Sequence, residues 1–549
     1  MEEHLPTSWT SLLIEEALLP YENGRKIRQG WSPQCERFPS ESNDDWGVLK
    51  TSAIQDGKFV EEENKHLPSN LEPREHLEVK PGDILMTCAG PRARCGVTCL
   101  VTSTRPRLLI SGKMYQLRCD NSVIVSEFLE SFLREWNTKK LIDKMKTGIS
   151  DSGLNLTHGR FSTLEIPLPP LNEQRRIVAK IEELFSEIDA GVESLKTARA
   201  RLGVYRQSLL KQAFEGKLTE KWRAQNPDKL EPAEQLLARI RSEREARYQQ
   251  QLTDWQTAVE EWEAGGKEGK KPTKPRKLKE VENITDEELG VLPELPGEWA
   301  WTHPDLLAAY EPYALGIGPF GSNLKVTDYT TEGVPLVFIK NITRNNFGLE
   351  PRFVSQEKAA ELKAHSAKPL DLLITKMGDP PGDCAIYPEH RPEAIITADC
   401  LKFRVLQGYC DRSFYCSFIN SVLCRKQLGL ITRGVAQKKI SVERFKSTAV
   451  PLCSLPEQKE IVRILEEQFT AIEQNEAEID AALQRAEALR QSILKKAFSG
   501  QLVPQDPNDE PASVLLERIR AEREAAEAEL KAKKTVAKKA TKKQARKKA

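Results

Sequence analysis

An internal repeat constrains this 549-residue chain more than any other feature, because matched segments must fold alike and so fix the architecture before any local reading begins. Residues 166–189, IPLPPLNEQRRIVAKIEELFSEID, align without gaps on 450–473, VPLCSLPEQKEIVRILEEQFTAIE, with 11 identities in 24 positions and a register of 284 residues. In the same register, RQSLLKQAFEGKL at Arg206 meets RQSILKKAFSGQL at Arg490. After a five-residue slip, EPAEQLLARIRSERE at Glu231 meets EPASVLLERIRAERE at Glu510.

Each copy opens on a Pro-Leu segment that cannot be helix interior, followed by a Glu-Gln pair where an acidic side chain suits the positive helix end. Apolar positions then alternate at spacings of four and three: Ile177, Ile181, Leu184, Ile188, Gly191, Leu195, Ala198, Leu202, Tyr205 and Leu209. The second copy reads Ile461, Leu465, Gln468, Ile472, Asn475, Ile479, Ala482, Ala486, Leu489 and Ile493. These are heptad seams, so the two helices are expected to pair with each other, and Asn475 is either a register-fixing seam residue or a solvated interruption. Both helices should stop near a glycine, Gly216 and Gly500. At about 38 residues each would be roughly 57 Å long. Antiparallel packing follows if an approximate two-fold axis relates the halves.

The segments before each helix match more faintly. PGDILMTCAG at Pro81 and PLDLLITKMG at Pro369 both read as a buried strand entering a glycine-containing loop. Val48-Leu49-Lys50 and Val337-Phe338-Ile339-Lys340 are further strand candidates. Residues 126–148 and 413–434 read as amphipathic helices, with Arg160-Phe161 and Arg444-Phe445 following at the 284-residue spacing. The expected fold is therefore α+β, with two mixed recognition domains separated by two long helices forming an antiparallel, pseudo-two-fold coiled coil. The boundaries are 1–165 and 298–449 for the domains, 166–248 and 450–529 for the helical regions, 249–297 for an extended hydrated connector and 530–549 for a disordered tail.

Equal scaffolds with unequal loops suggest unequal targets. Arg and Lys can contact guanine edges and phosphates, while Asn and Gln can pair with adenine. The candidates near the matched loops are Arg92 and Arg94 in the first domain, and Lys340, Asn341, Arg344, Asn345, Lys376, Arg433, Gln437, Lys438 and Lys439 in the second.

Charge has to be read by region. Ten Lys/Arg and no acid occupy Leu530 to Ala549, which leaves residues 1–529 with a balance of −9. A nucleic-acid surface on such a body must come from local basic patches. Eleven scattered cysteines read as reduced thiols, Cys88, Cys95 and Cys99 among them as buried ones. The N-terminus lacks the order of a signal peptide and the chain lacks a bilayer-length apolar run, so a cytoplasmic location is expected. There is no GxxxxGK[ST] loop and no HExxH pair. Leu315-Gly316-Ile317-Gly318 is a lone GxG, and Asp379-Pro380-Pro381-Gly382 reads as a turn, lacking the aromatic residue of an adenine methyltransferase site.

At PLPPLNEQRRIV and PLCSLPEQKEIV the chain resembles the specificity subunits of type I restriction-modification systems, a family in which two variable target-recognition domains alternate with two helical regions. The likeness covers nearly all of residues 1–529; Cys453 and Ser454 replace Pro169 and Pro170 in the second copy, and the basic tail lies outside the family pattern. The resemblance implies a non-catalytic subunit that binds double-stranded DNA, two methyltransferase subunits and restriction subunits, with no membrane partner. S-adenosylmethionine, ATP and magnesium would belong to those partner subunits, and this chain would hold no cofactor and no metal. The outward faces of 171–218 and 455–502, with Glu173, Gln174, Glu457 and Gln458, would then contact the methyltransferase, unless those four merely cap their helices. A coiled-coil scaffold with protein-reading domains and a fused methyltransferase-nuclease are the competing readings.

Overall fold

A computed structural model of the chain describes residues 5–525 apart from 276, 278, 279, 379 and 432–438. The basic tail thus lies outside the described residues. The chain forms two compact units: residues up to 196 together with those from 480 on, and residues 197–479. Among the described residues no helix is long and apolar enough to cross a membrane.

The first unit is built on a four-stranded antiparallel sheet in the order Ile27–Gln29, Met114–Arg118, Asp83–Thr87, Thr98–Leu100. Its inner strand Asp83–Thr87 is buried throughout, as the run DILMT requires. Gly47–Leu49 pairs in parallel with Leu108–Leu109 and antiparallel with Asn64–His66. Thr10–Leu13 pairs with Glu165–Leu168, so the strand entering the domain lies beside the strand leaving it for the helix.

The second unit repeats this plan. Its four-stranded sheet runs Leu315–Ile317, Cys400–Phe403, Leu372–Thr375, Cys384–Ile386, and Val334–Val337 pairs in parallel with Ala394–Ile396 and antiparallel with Phe353–Val354. Ala300–Thr302 pairs with Val450–Leu452. The lone GxG is therefore an edge strand, and a Cβ at Gly318 would meet the Thr397 carbonyl oxygen at 2.0 Å.

Matched ionic contacts hold the two inner strands. Asp83 accepts from Arg118 Nε at 2.9 Å and from the Lys80 amide at 2.8 Å; Asp371 accepts from Arg404 Nε at 2.7 Å and from the Lys368 amide at 2.8 Å. The turn before each aspartate needs a positive φ, which Gly82 adopts at 89° and Leu370 at 72°.

Three local expectations are corrected. Val337 ends a strand that begins at Val334, and Ile339–Thr343 is a short helix with Phe338 at its N-cap. The helix expected over 126–148 is two, Ser126–Arg134 and Trp136–Met145, and its counterpart is Arg412–Ile419 and Val422–Ile431. The connector is helical well past residue 249: Ala233–Ala264 is one helix. Tyr248, Trp255 and Trp262 recur every seven residues along it and are half-buried under the returning segment, which the Pro- and Lys-rich composition concealed.

The long helices are Leu171–Phe214 and Leu455–Phe498, 44 residues and ~66 Å each, longer than the sequence suggested. In the first unit Arg176 pairs with Asp509 at 2.7 Å and Asp189 bonds Arg490, so the partners descend as the first helix rises. Ile177 and Ile181 share a core with Ile493, Leu494 and Leu515. In the second unit Tyr205 donates to Gln468 at 3.2 Å, Arg206 reaches Glu473, and Leu209 shares a core with Ile461 and Leu465. Asn475 is exposed and donates to Ala471 of its own helix at 2.9 Å, so it is the solvated interruption and not a register lock.

Candidate nucleic-acid interface

Each recognition domain is clamped to helix ends by the same set of contacts. The last phenylalanine of a long helix sits edge-on to two aromatic rings four residues apart: Phe498 to Phe128 and Phe132 at 5.2 and 5.3 Å, Phe214 to Phe414 and Phe418 at 5.3 and 5.2 Å. The glycines that end these helices have left-handed φ, 74° at Gly500 and 70° at Gly216. A proline covers each, Pro6 and Pro296, at 2.4 Å from where a Cβ would stand.

Those prolines belong to a second repeat, Leu5-Pro6-Thr7-Ser8-Trp9 and Leu295-Pro296-Gly297-Glu298-Trp299. Trp9 Nε1 donates to Glu173 at 3.0 Å and Trp299 Nε1 to Glu457 at 2.9 Å. The amides of Ala512 and Ala233 in the EPA segments donate to the carbonyls of Ser8 and Glu298, both at 3.0 Å. Gln174 accepts from the Val125 amide at 2.9 Å and donates to Val123 and Pro169 carbonyls at 3.1 and 3.0 Å. Gln458 accepts from the Asp411 amide at 2.8 Å and donates to Tyr409 and Cys453 carbonyls at 2.9 and 2.8 Å.

This corrects the expected placement of Glu173, Gln174, Glu457 and Gln458. All four are buried to 1% exposure or less, and their polar atoms are spent inside their own unit. They neither face outward nor merely cap their helices; they fasten each domain to the helix that follows it. The Leu-Pro-x-x-Trp repeat was the signal for this bracket, since a buried acid near a helix start needs an inward donor.

In each domain a loop follows the inner strand of the four-stranded sheet. In the first unit the segment after Asp83–Thr87 meets the loop 148–153, with the Arg92 amide donating to the Asp151 carbonyl at 2.8 Å. The Arg92 side chain is half exposed and bonds Asp143 at 2.7 Å and Asp151 at 3.1 Å. Lys146 at 2.8 Å and Arg92 both hold the Asp143 carboxyl below its ordinary range. Arg94 is turned inward, its Nη2 donating to the carbonyls of Thr51 and Ile54, so it braces the loop. Ile149, fully exposed, stands on the second of these loops.

The second unit joins the equivalent segments. The Ile440 amide donates to the Lys376 carbonyl at 3.0 Å and Met377 bridges exposed Lys439. Lys376 Nζ donates to Ala398 at 3.2 Å, beside a surface pocket of about 560 Å³ lined by Lys340, Thr343, Arg344, Thr397 and Asp399. Lys340 also pairs with Glu350, and Arg344 and Asn345 are exposed. Asn341 is corrected: it is buried, accepts from the Phe338 amide and donates to the Asn346 and Leu349 carbonyls, which fixes a turn. Arg433, Gln437 and Lys438 lie outside the described residues. Sequence reasoning missed Thr343 and Asp399, whose types carry no signal by themselves.

Cys88, Cys95 and Cys99 are buried, and burial pushes the thiols of Cys88 and Cys99 up to about 12. They are inert thiols at neutral pH.

A chain in which one reading scaffold occurs twice, each copy clamped to long duplicated helices, is a tandem recognition protein. The model of the type I restriction modification DNA specificity domain matches residues 49–195 and 353–485, just over half of the chain, which belongs to this family of DNA-recognition subunits. The chain is 23% identical over 533 residues to the type I restriction enzyme EcoKI specificity subunit of Escherichia coli strain K12, covering 94% of this chain and 96% of that subunit. It is 35% identical over 195 residues to the EcoEI specificity subunit of Escherichia coli, a match covering 36% of this chain and 32% of that subunit, about a third of the relative's length. A chain from a type I R-M system solved for its complex assembly and conformational transition superposes with a TM-score of 0.59 at 19% identity, covering 91% of this chain and 100% of that one; the likeness is one of fold.

Proposed function

We propose that this chain reads a bipartite, asymmetric DNA target and recruits methyltransferase and restriction subunits to it, with no catalysis of its own. The observation that carries the reading is the duplication itself: two domains share strand order, bracket and helix contacts, yet differ in the sequences of their loops. Each domain takes a short half-site. The helix pair sets the unread gap, leaving the half-sites about one turn of duplex, ~34 Å, apart.

Recruitment follows from the same duplication, since one asymmetric chain can offer two like faces to two identical partners. Arg175 and Lys459 are exposed at equivalent positions, as are Glu182 and Glu466, so these faces of 171–218 and 455–502 carry the same charges twice. S-adenosylmethionine, ATP and magnesium belong to the recruited subunits, and the complex works in the cytoplasm.

Base-resolved methylation mapping of a host expressing the chain with its methyltransferase tests this. A gapped motif with two unlike halves, methylated on adenine, is expected. A contiguous motif, or methyl transfer to DNA by the isolated chain with S-adenosylmethionine, contradicts the reading.

A further inference from the structure

We infer that the hairpin arm formed by Ala233–Ala264 and its returning segment is a second DNA-binding surface, one that grips duplex phosphates without regard to sequence. The inference rests on the DNA-recognition reading and adds a site outside both recognition domains. After Gly265 the chain turns and runs back along the helix as a strap. Four contacts pin it: Trp262 Nε1 to the Gly269 carbonyl at 3.4 Å, Trp255 Nε1 to Pro272 at 3.1 Å, Lys277 to Glu245 at 3.0 Å, and Arg241 to Asn283 at 2.7 Å.

The strap is strongly basic in a body that is otherwise mildly acidic. Residues 265–280 hold seven Lys/Arg against two Glu. Lys267, Lys270, Lys271, Lys274 and Lys277 are all exposed. Lys267 and Lys271 lie 6.0 and 5.8 Å from the Trp262 ring, Lys274 lies 5.6 Å from Trp255 and Lys277 5.7 Å from Tyr248. Such contacts order long side chains at modest energy while leaving their charge in water. Pro272 and Pro275 keep the segment extended between its pins.

The geometry selects the ligand. Helix residues 245–262 span roughly 26 Å, and a duplex offers one negative charge per about 1.7 Å over that length. The two tryptophans are half-buried with lysines over their rings, which leaves less open face for stacking unpaired bases and favours a duplex over single strands. Lysine ammonium groups act as point charges, suited to phosphate contact and not to forked base readout.

The test measures binding of the full-length chain to a 30-base-pair duplex of mixed sequence over a salt series. One variant carries Lys267→Gln, Lys270→Gln, Lys271→Gln and Lys274→Gln; a second carries arginine at the same four positions. Each phosphate contact contributes about 0.9 to the slope of log affinity against log salt, so the glutamine variant should lose about 3–4 of slope. Between about 50 and 200 mM salt the wild type should then lose roughly a hundredfold more affinity than the glutamine variant, and the arginine variant should behave as wild type. An unchanged slope in the glutamine variant overturns the proposal, and loss of an acidic protein partner with that slope intact assigns the arm to protein instead. Failure of the wild type to prefer its mapped motif over mixed sequence would instead strike the reading of the recognition domains, which the slope comparison leaves separate.

Discussion

Glu130, on the helix Ser126–Arg134, is almost wholly buried, and among the described residues its Oε1 has no hydrogen-bond partner. Burial raises its pKa to about 7, opposed by Arg134 at 3.6 Å and reinforced by Asp56. A carboxyl whose folded pKa is raised stabilises the fold while protonated, so that contribution is complete below about 4.5 and is lost as pH climbs through about 7. Glu130→Gln stays neutral throughout. Urea unfolding of the variant should show a flatter pH dependence between 5 and 8, with a gain at pH 8 on the order of 3 kcal/mol; curves that run parallel to wild type would refute this account. The turn ahead of Asp83 gives a second test at this scale. Gly82 has φ 89° with open space at its Cβ position, so Gly82→Ala should cost about 1 kcal/mol from backbone strain alone. The match of PGDILMTCAG with PLDLLITKMG showed the buried strand but not the turn ahead of it, whose φ was not legible because Leu370 occupies the same conformation with a side chain that disfavours it.

At the scale of elements, the brackets do what the helix propensities cannot. Gln458 satisfies one amide and two carbonyls at the junction of the second domain with its helix. Gln458→Leu keeps the approximate volume and strands all three, so a loss of about 3 kcal/mol or more is expected in the unfolding free energy from denaturant titration. A change under about 1 kcal/mol would mean that water reaches the junction. The long helices were legible because heptad spacing, proline before the start and glycine after the stop all report on the backbone directly. Their Glu-Gln starts were not, because an acid in a first helical turn looks the same whether solvent or Trp9 receives it. Short strands such as Leu108–Leu109 lack the length for a visible alternation, and pairing across the fold defines them. The arm was misread for a different reason: its helix buries one narrow aromatic stripe, and the strap that covers it has the composition of a hydrated linker.

For the molecule as a whole, duplicated helices of equal length imply that the two seams must change together. Each seam spans both copies, with Asp189 against Arg490 in one unit and Arg206 near Glu473 in the other, so lengthening one helix alone slips every contact beyond the insertion. A seven-residue insertion in each, after Ala190 and after Gln474, keeps the heptad phase and adds ~10.5 Å. The sites suit it: Gly191 has open space around it and Asn475 is exposed. If helix length sets the unread gap, the methylated motif should keep both half-sites and gain about three base pairs between them. Three base pairs also turn the duplex by roughly a third of a turn, so methylation should weaken even as the longer gap is accepted. Insertion in a single helix should reduce methylation more than the matched pair does, because the seam contacts no longer close. Mapping that returned the original gap from the doubly lengthened chain would separate helix length from target spacing, and the loops alone would then have to account for where the two half-sites fall.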